Sequence, residues 1–355
     1  MLNKKVAVGM SGGVDSSVCA ALLKDAGYEV VGVSLKLHEE APSAEKACGS
    51  LSDNQEAKKV ADRMGIEFFL CDKKEAFQHQ VIDRFAKSYE QAQTPNPCIL
   101  CNRYIKFGEM LSYAKSVGAD YVATGHYANI EYCEKTGRYL LKKAKDLSKD
   151  QSYVLYSLTQ EQLAHTLFPL GNLEKSQVRA LAEEYGFHNA QKKESQDICF
   201  VPDGDYAAFI RRYRGVTFPQ GDFVDKDGNV LGTHKGIIHY TVGQRKGLGL
   251  SFPCPMYVTE KKLCENQVVL GPIDELYQTT LFAKDINLIS VPKIEGEMKV
   301  HAKIRYNQKE QPATVTQVEE DTLKVTFSEP QKAITKGQAV VLYDGDTVVG
   351  GGTIL

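Results

Sequence analysis

The chain has 355 residues, of which 43% are hydrophobic and 25% charged, and its formal net charge is -2. These values are ordinary for a globular protein of two or three domains, and they exclude a surface that is basic all over. No apolar run approaches the roughly 20 residues of a membrane-spanning helix, and the first residues lead directly into a strand-like run. We therefore predict a cytoplasmic protein with no membrane partner. Its nine cysteines are expected to be buried, catalytic or metal-bound rather than joined in structural disulfides.

Over about the first 205 residues, short apolar runs alternate with helical patterns. The predicted strands are Lys5–Met10, Glu29–Leu35, Ile66–Cys71 and Asp120–Gly125. The predicted helices are Val14–Ala26, Ser52–Met64, Glu75–Gln91 and Asn102–Val117. This alternation is typical of an α/β fold with a doubly wound parallel sheet, in which ligands bind beyond the carboxyl ends of the strands.

The segment SGGVDSS, residues 11–17, lies between the first predicted strand and the first predicted helix. Its two adjacent glycines allow the backbone to wrap round phosphate oxygens, and the helix N-terminus offers N–H groups and a partial positive charge. The serine hydroxyls are further donors, and Asp15 could hold Mg²⁺. The segment is neither a Walker A loop nor a G-x-G-x-x-G loop. We predict a phosphate-binding loop of another kind, the alternative being an ordinary Gly-Ser turn.

The stretch TPNPCILCNR, residues 94–103, contains the Cys-x-x-Cys pair Cys98 and Cys101 behind two prolines. The prolines predict a rigid loop up to about Cys98 and a helix after it, so Cys101 would lie at a helix N-terminus, which lowers the pKa of a thiol. The pair could be a metal site, a redox pair or a reactive sulfur. Zinc sites normally use a second pair or closely spaced His or Cys, whereas Cys133 and Cys199 are single and distant. Zinc is therefore disfavoured.

After about Tyr213, Gly and Pro become frequent, and alternation of apolar and polar residues replaces the helical period. A hairpin-like Asp227-Gly228 is followed, from Gln278 onward, by alternating runs such as MKVHAKIRY, ATVTQV and TLKVTF. Short strands at regular spacing indicate a small β-barrel or sandwich. We divide the chain into a catalytic α/β domain (1–212), a small, mostly-β central domain (213–277) and a C-terminal β-barrel domain (278–355).

The region from Phe209 to Lys262 contains nine Lys or Arg and four acidic residues, a local net charge of +5. Together with the aromatic residues Tyr213, His239 and Tyr240, this composition suits phosphate contacts and base stacking. A charge cluster is more often only a solvated face. The glycine-rich segment GQRKGLG favours nucleic-acid binding, because glycines let a backbone follow a phosphate chain.

SGGVDS resembles the pyrophosphate loop of the N-type ATP pyrophosphatases, a superfamily that includes amidotransferase-type synthetases and tRNA thiolases. Six further segments occur in order along the chain, and the whole set resembles the tRNA-specific 2-thiouridylase (MnmA/TrmU) family from end to end. These segments are TPNPCILCNRYIKF (94–107), ATGHY (123–127), SKDQSYVLY (148–156), SQDICF (195–200), GQRKGLG (243–249) and KGQAVVLY (336–343).

The resemblance implies an ATP-dependent 2-thiolation of the wobble uridine of tRNA. Transfer of AMP to the C2 oxygen releases pyrophosphate and turns that oxygen into part of a good leaving group, which a persulfide sulfur then replaces. By resemblance, Cys199 carries the persulfide and Cys101 is its partner, which frees the sulfur by forming a transient disulfide. A cysteine desulfurase or a sulfur-relay protein would supply the persulfide.

The resemblance also assigns binding residues. ATP would be bound by Gly9, Met10, Ser11, Gly12, Gly13, Val14, Asp15, Ser16, Leu35 and Gly125, together with Mg²⁺. Leu35 stands where the family usually has Met. The target base, extruded from its stack, would meet Asn96, Pro97 and Cys98. The residues expected to contact tRNA are His126, Lys149, Asp150, Gln151, Arg245, Lys246, Arg305, Tyr306 and Gln338, with the barrel acting as an RNA clamp.

Cys98 departs from many relatives, which carry Asp at this position in the manner of a general acid or base. A thiol has the higher pKa and transfers protons less readily near pH 7. The substitution also gives three cysteines, Cys98, Cys101 and Cys199, that could ligate a [4Fe–4S] cluster with one iron open. We favour persulfide chemistry, because it needs only the pair that the wider family shares.

Two other functions compete with this interpretation. A small-molecule ligase with the same loop would adenylate a carboxylate or ureido group, but it would have no need for Cys101, Cys199 or a C-terminal barrel. A non-catalytic tRNA-binding protein with a decayed nucleotide site would not need the intact SGGVDSS.

Overall fold

The structure is a computed structural model that describes residues 4–38, 51–192 and 198–355. The first residues of the SQDICF segment, 195–197, lie outside the described residues. No helix of the described chain is long and apolar enough to cross a membrane.

Ten α-helices occur in the described chain. They are α1 Val14–Asp25, α2 Leu51–Met64, α3 Lys74–Phe77, α4 Asp83–Glu90, α5 Pro97–Leu100, α6 Met110–Ser116, α7 Ser152–Leu155, α8 Gln160–Ala164, α9 Lys175–Glu184 and α10 Tyr206–Arg214. Two π-helical segments, Gln78–Ile82 and Cys101–Glu109, join α3 to α4 and α5 to α6, and short 3-10 turns occupy Ile237–His239 and Ile273–Leu276.

Seventeen strands form the sheets of the described chain. They are β1 Lys5–Gly9, β2 Glu29–Lys36, β3 Glu67–Asp72, β4 Tyr121–Ala123, β5 Asn129–Cys133, β6 Arg138–Lys142, β7 Thr166–Leu167, β8 Gly221–Val224, β9 Val230–His234, β10 Tyr257–Lys262, β11 Gln267–Gly271, β12 Tyr277–Leu288, β13 Glu297–Lys303, β14 Gln311–Glu319, β15 Thr322–Lys332, β16 Ala339–Asp344 and β17 Thr347–Ile354.

The first domain is built on a parallel sheet in the order β3-β2-β1-β4-β7. The apolar residues of β1 are completely buried, as expected for a central strand with helices on both faces. All four predicted strands are present and parallel, so the predicted α/β class is confirmed. The two-residue strand β7 was not predicted, because two residues are too short to show a pattern.

The helix that carries the cysteine pair begins earlier than its sequence indicated. It starts at Pro97 and runs through α5, the π-helical segment Cys101–Glu109 and α6. Proline is well tolerated at the first helical position, where its missing N–H is not needed. The Asn96 side chain caps this helix by accepting a hydrogen bond from the Cys98 N–H at 3.1 Å. The prediction of a helix start after Cys98 was therefore wrong, and Cys101 lies one turn inside the helix.

The remaining domains are mostly β, as predicted. The central domain has a four-stranded sheet in the order β10-β11-β8-β9. The C-terminal domain is an antiparallel sheet in the order β12-β15-β14-β13-β16-β17, and pairing of β12 with β17 closes it into a six-stranded barrel. Of the barrel and sandwich predicted as alternatives, the structure therefore has the barrel. The hairpin β5–β6 of the first domain extends this sheet through a pairing of Thr347 with Lys142.

The barrel shares a hydrophobic core with the first domain. One cluster combines Tyr153 and Leu155 of α7 with Ala339, Val341 and Tyr343 of β16. The fully buried Tyr153 hydroxyl donates a hydrogen bond to the Ala339 carbonyl at 2.9 Å. Burial of apolar side chains on both sides of this boundary fixes the barrel against the first domain.

Tyr153→Phe should lower the free energy of unfolding by about 1–3 kcal/mol, because the buried Ala339 carbonyl loses its donor. Urea denaturation of the full chain would measure the change. The matched control is Tyr132→Phe, at a tyrosine that is 52% exposed, and this change should leave the midpoint unaltered. Equal midpoints for the two variants would contradict a role for the Tyr153 hydroxyl in docking the barrel.

Candidate active site

The predicted phosphate loop connects β1 to α1. Gly13 is the N-cap of α1, and no side chain caps this helix end. The hydroxyls of Ser16 and Ser17 both donate to the Gly13 carbonyl at 3.0 Å, and the Ser11 N–H donates to Ser16 Oγ at 3.2 Å. Side-chain hydrogen bonds thus hold the loop in shape while the helix N-terminus presents its N–H groups and positive partial charge. This is the arrangement expected of an anion site.

Gly125 lies directly against this helix end. A Cβ at Gly125 would be 2.7 Å from the Asp15 carbonyl carbon and 2.9 Å from the Ser16 nitrogen. No real Cβ comes so close to a backbone atom, so only glycine allows the end of β4 to approach α1. Gly12 of the loop is restricted to glycine for the same reason. Its φ is +68°, and a Cβ added there would be 2.4 Å from the Asp53 carbonyl oxygen.

A cavity of about 220 Å³ opens at the carboxyl ends of β1, β2 and β4. Seven of the ten residues predicted to bind ATP line it: Gly9, Met10, Ser11, Asp15, Ser16, Leu35 and Gly125. The other three, Gly12, Gly13 and Val14, form the loop and the helix start behind this lining. The cavity is also lined by residues that the sequence did not single out: Val33, Ser34, Leu37, Lys106, Met110 and Thr124.

Asp15 is already engaged by a cation. Lys175 Nζ lies 2.7 and 2.8 Å from its two carboxylate oxygens, and the Tyr127 hydroxyl donates to Oδ1 at 2.8 Å. Lys175 is 91% buried, so this pair is shielded from water. The sequence missed Lys175 because 160 residues separate it from Asp15. The proposed role of Asp15 as a Mg²⁺ ligand stays a prediction, and this ion pair occupies both of its oxygens.

His126 lies in the wall of the same cavity and not on an exposed surface. Its Nδ1 is 2.6 Å from the Thr124 hydroxyl, and its ring packs against Phe107 and Phe168. Burial lowers the pKa of His126 well below its ordinary value, and the charge of Lys106 acts in the same direction. The imidazole is therefore neutral near pH 7. The predicted contact of His126 with tRNA stays a prediction.

Cys98 occupies the first turn of the helix, behind Asn96 and the buried Pro97. The residue is exposed, yet protein encloses its thiol closely enough that burial raises the pKa of Cys98, while the positive charge of Lys106 opposes that rise. The thiol is thus mostly protonated near pH 7.

Lys106 lines the nucleotide cavity, and its charge acts on both Cys98 and His126. It lies in the π-helical segment Cys101–Glu109. Lys106 lies within the TPNPCILCNRYIKF segment, so the sequence already marked its neighbourhood. The sequence pattern predicted an α-helix there and did not predict that the Lys106 side chain would reach the cavity.

Cys101 and Cys199 contact the same hydrophobic cluster. Both are half-buried and pack against the hydrophobic cluster that contains Phe77, Phe85 and Phe200. No disulfide joins the described cysteines. No three His, Cys, Asp or Glu side chains of the described chain are arranged to hold a metal ion. Cys98, Cys101 and Cys199 therefore do not form the ligand set that a [4Fe–4S] cluster would need, and we derive no chemistry from such a cluster.

Several residues predicted to contact tRNA adjoin one another at the junction of the three domains. A Cβ at Gly243 would be 2.9 Å from the Cβ of Ala333 and 3.7 Å from Arg305 Nη2, so the GQRKGLG loop lies against the barrel. Arg305 donates to the Ala333 carbonyl at 2.8 Å, and the Tyr306 hydroxyl donates to the Asp150 carbonyl at 3.1 Å.

The other predicted tRNA residues differ in their surroundings. Arg245 and Lys246 are exposed, whereas Lys149, Gln151 and Gln338 are half-buried. Gln151 accepts from the Tyr127 N–H at 3.0 Å and lines the nucleotide cavity. The Asp150 carboxylate accepts hydrogen bonds from Ala144 and Ser152.

The predicted basic and aromatic surface is smaller than its composition indicated. Lys261 points its Nζ into the domain without a hydrogen-bond partner, and burial lowers its pKa to about 8. Arg214 forms an ion pair with Glu90. Tyr240 is 98% buried against Phe223 and cannot stack on a base. Lys261 and Tyr240 must therefore be removed from the expected RNA surface, and the charge of Arg214 is balanced by Glu90, because charge counts do not show which way a side chain points or what it pairs with.

Comparison with known proteins covers almost the whole chain. Residues 4–203 match a family described as the tRNA methyl transferase HUP domain, residues 207–272 the tRNA methyl transferase PRC-barrel domain, and residues 278–354 the aminomethyltransferase β-barrel domain. The tRNA-specific 2-thiouridylase MnmA of Clostridioides difficile (strain 630) is 52% identical over 99% of this chain and 98% of its own. MnmA of Clostridium perfringens (strain 13 / Type A) is 50% identical over 100% of this chain and 99% of its own.

Among solved structures, a 4-thiouridine synthetase–RNA complex with bound ATP is 16% identical. It covers 60% of this chain and 50% of its own, with a TM-score of 0.38.

Gly125→Ala should weaken ATP binding at least tenfold, because the new methyl group would collide with the backbone of Asp15 and Ser16 at the helix N-terminus. Calorimetric titration with a non-hydrolysable ATP analogue would measure it. The control is Gly204→Ala, where no atom lies within 4 Å of the added Cβ, so that only the backbone strain of its positive φ (+72°) is introduced and no collision. Unchanged affinity in Gly125→Ala would show that the nucleotide binds elsewhere.

Proposed function

Because the chain belongs to the family of the tRNA-specific 2-thiouridylases, we propose that it replaces the C2 oxygen of the wobble uridine of tRNA with sulfur, using ATP. The transferase class follows from this membership. The observation that carries the proposal is the position of Lys106, which lines the nucleotide cavity and acts on the charge state of Cys98. An ATP site and the predicted base-contacting loop therefore adjoin, as adenylation of a base requires. The tRNA substrate makes the cytoplasm the expected location.

The cavity suits ATP in its shape and its chemistry. The N-terminus of α1 and the close approach of Gly125 would hold the phosphates. Leu35 and Met10 supply apolar surface of the kind that an adenine needs. Bound ATP supplies an activated α-phosphorus, which the uracil O2 attacks while pyrophosphate leaves. Lys106 is the cation in the cavity lining that could balance the charge that develops on the phosphates.

The sulfur-transfer step uses Cys199 and Cys101. A persulfide on Cys199, delivered by a cysteine desulfurase or a relay protein, attacks C2 with its outer sulfur. The Cys101 thiolate then attacks Cys199 Sγ, so that a Cys101–Cys199 disulfide forms and the electrons of the broken S–S bond stay with the transferred sulfur. AMP departs with the original oxygen as C2=S forms, and an external dithiol reduces the disulfide. The half-buried positions of both cysteines on one cluster support this pairing.

The three-domain junction supports the proposed tRNA contacts. The exposed Arg245 and Lys246 lie in a loop seated on the barrel beside Arg305, and Tyr306 bridges from the barrel to Asp150 of the catalytic domain. One tRNA could contact all three proposed domains (1–212, 213–277 and 278–355) along this line. Side chains at its exposed end would bind phosphates.

The wild-type protein should form AMP and pyrophosphate from ATP, with tRNA required for turnover and 2-thiouridine as the modified base. Cys101→Ser and Cys199→Ser should each abolish 2-thiouridine, since serine can neither carry a persulfide nor form the disulfide. Chromatography of the nucleotides and mass spectrometry of digested tRNA would measure both products. Cys133→Ser, at a cysteine outside the site, is the control and should retain activity. ADP and phosphate as products would contradict the proposed chemistry.

Lys106→Met should reduce tRNA-dependent AMP formation at least tenfold and move the pH profile of Cys98 alkylation upward. Burial raises the pKa of the Cys98 thiol and Lys106 lowers it, so removing the cation leaves only the rise, and the reactive thiolate forms at higher pH. Iodoacetamide labelling from pH 6 to 10, read by peptide mass spectrometry, would give the midpoint. Lys106→Arg keeps the positive charge, so the midpoint of its pH profile for Cys98 labelling should stay close to that of the wild type. Identical profiles for wild type and Lys106→Met would place the cation too far from Cys98 to act.

A further inference from the structure

The C-terminal barrel holds the backbone of the loop that leads to Cys98. The Thr94 N–H donates to the Lys336 carbonyl at 2.8 Å, and the Gln338 amide Nε2 donates to the Thr94 carbonyl at 2.7 Å. Both main-chain polar groups of Thr94 are thus satisfied by one short segment of the barrel. The sequence separation between Thr94 and Gln338 is 244 residues, so this contact exists only in the folded protein.

Gly337 makes the approach of these two segments possible. Its φ is +87°, and a Cβ there would be 2.9 Å from the Gln93 Cβ and 3.0 Å from the Thr94 nitrogen. The barrel segment is itself anchored, because the Gly337 N–H donates to the Ile354 carbonyl at 2.9 Å and the Ile354 N–H donates to the Gln338 carbonyl at 2.8 Å. The loop therefore rests on a part of the barrel that is fixed to the last strand.

The chain between this contact and the cysteines is stiff. Pro95 and Pro97 restrict their own φ angles and those of the residues before them, and Asn96 is held by its capping bond to the Cys98 N–H. A second contact with the barrel follows, where Arg103 forms a 2.8 Å ion pair with Asp285. The barrel thus holds this segment on both sides of the Cys98–Cys101 pair.

We infer that the barrel is a positioning element of the active site, and that Gln338 is a positioning residue for the Cys98 loop. This role goes beyond that of an RNA clamp. The family resemblance predicts that Gln338 contacts tRNA, but without tRNA its side-chain amide donates a hydrogen bond to the Thr94 carbonyl. Displacing Thr94 would move Asn96, Pro97 and Cys98, which are expected to meet the target base. The effect on turnover rests on the proposed thiolation, whereas the position of the loop does not.

The test uses full-length Gln338→Glu, which keeps the size of the side chain but removes the N–H that reaches Thr94. Hydrogen exchange of the peptide containing Thr94 is measured without tRNA, and kcat and the Kd for tRNA are measured separately. We expect exchange at least tenfold faster, kcat at least fivefold lower and a Kd within twofold of wild type. Gly337→Ala, which crowds Gln93 and Thr94, should give the same pattern.

The matched control is Gln317→Glu, the same substitution at another barrel glutamine. Its Nε2 donates to the Glu320 carbonyl at 2.9 Å, and its Oε1, which Glu would keep, accepts from the Ile294 N–H at 3.1 Å. This variant should change none of the three quantities. Unchanged exchange in both test variants, or a tenfold weaker Kd with unchanged exchange, would overturn the inference in favour of a direct RNA contact. Faster exchange with unchanged kcat would also overturn it. A wild-type protein that does not thiolate tRNA would refute the proposed function, and exchange alone would then decide whether the barrel positions the loop.

Discussion

The close approach of Gly125 to the amino end of α1 is the constraint on which the rest of the site depends. In the parallel sheet, β1 has β2 on one side and β4 on the other, so the cavity opens where connections leave the strand ends in different directions. The chain that follows β4 can approach the N-terminus of α1 only if the residue at the contact, Gly125, has no side chain. The backbone N–H groups of the helix then face the cavity without competition from a capping side chain. Lys175 pairs with Asp15 in the first turn of this helix, and Lys106 lines the cavity that the helix faces.

Electrostatics links the nucleotide cavity to the sulfur chemistry. Burial lowers the pKa of His126, and the charge of Lys106 acts in the same direction. The same cation opposes the rise in the pKa of Cys98, so it affects both the cavity wall and the cysteine loop. A thiol at position 98 differs from a carboxylate in being mostly uncharged near pH 7. Proton transfer there would therefore differ in its pH dependence from that of relatives with Asp. The proposed sulfur transfer through Cys101 and Cys199 does not involve this position.

The barrel is part of the catalytic unit as well as a candidate RNA surface. Its strand β16 shares a core with α7, its Lys336–Gln338 segment pairs with Thr94, and its Asp285 holds Arg103. Removing the barrel would therefore expose apolar surface and release the loop behind Cys98. The sequence suggested a separate clamp, because alternating strands at the end of a chain give no sign of what their outer residues touch.

The sequence by itself determined the elements whose signals are local. Apolar runs predicted the parallel strands, and SGGVDSS predicted the loop between β1 and α1, with its helix N-terminus. Tertiary structure decided what depends on residues far apart in the chain: the Asp15–Lys175 pair, the Thr94–Gln338 contact, the burial of Tyr240 and the inward turn of Lys261. The start of the cysteine helix at Pro97 is a local matter that the sequence prediction misjudged, because proline at the first helical position and an Asn cap two residues before Cys98 both favour it. Local patterns report backbone preference, whereas charge pairing and burial are set by whichever side chains the fold brings within a few ångströms of one another.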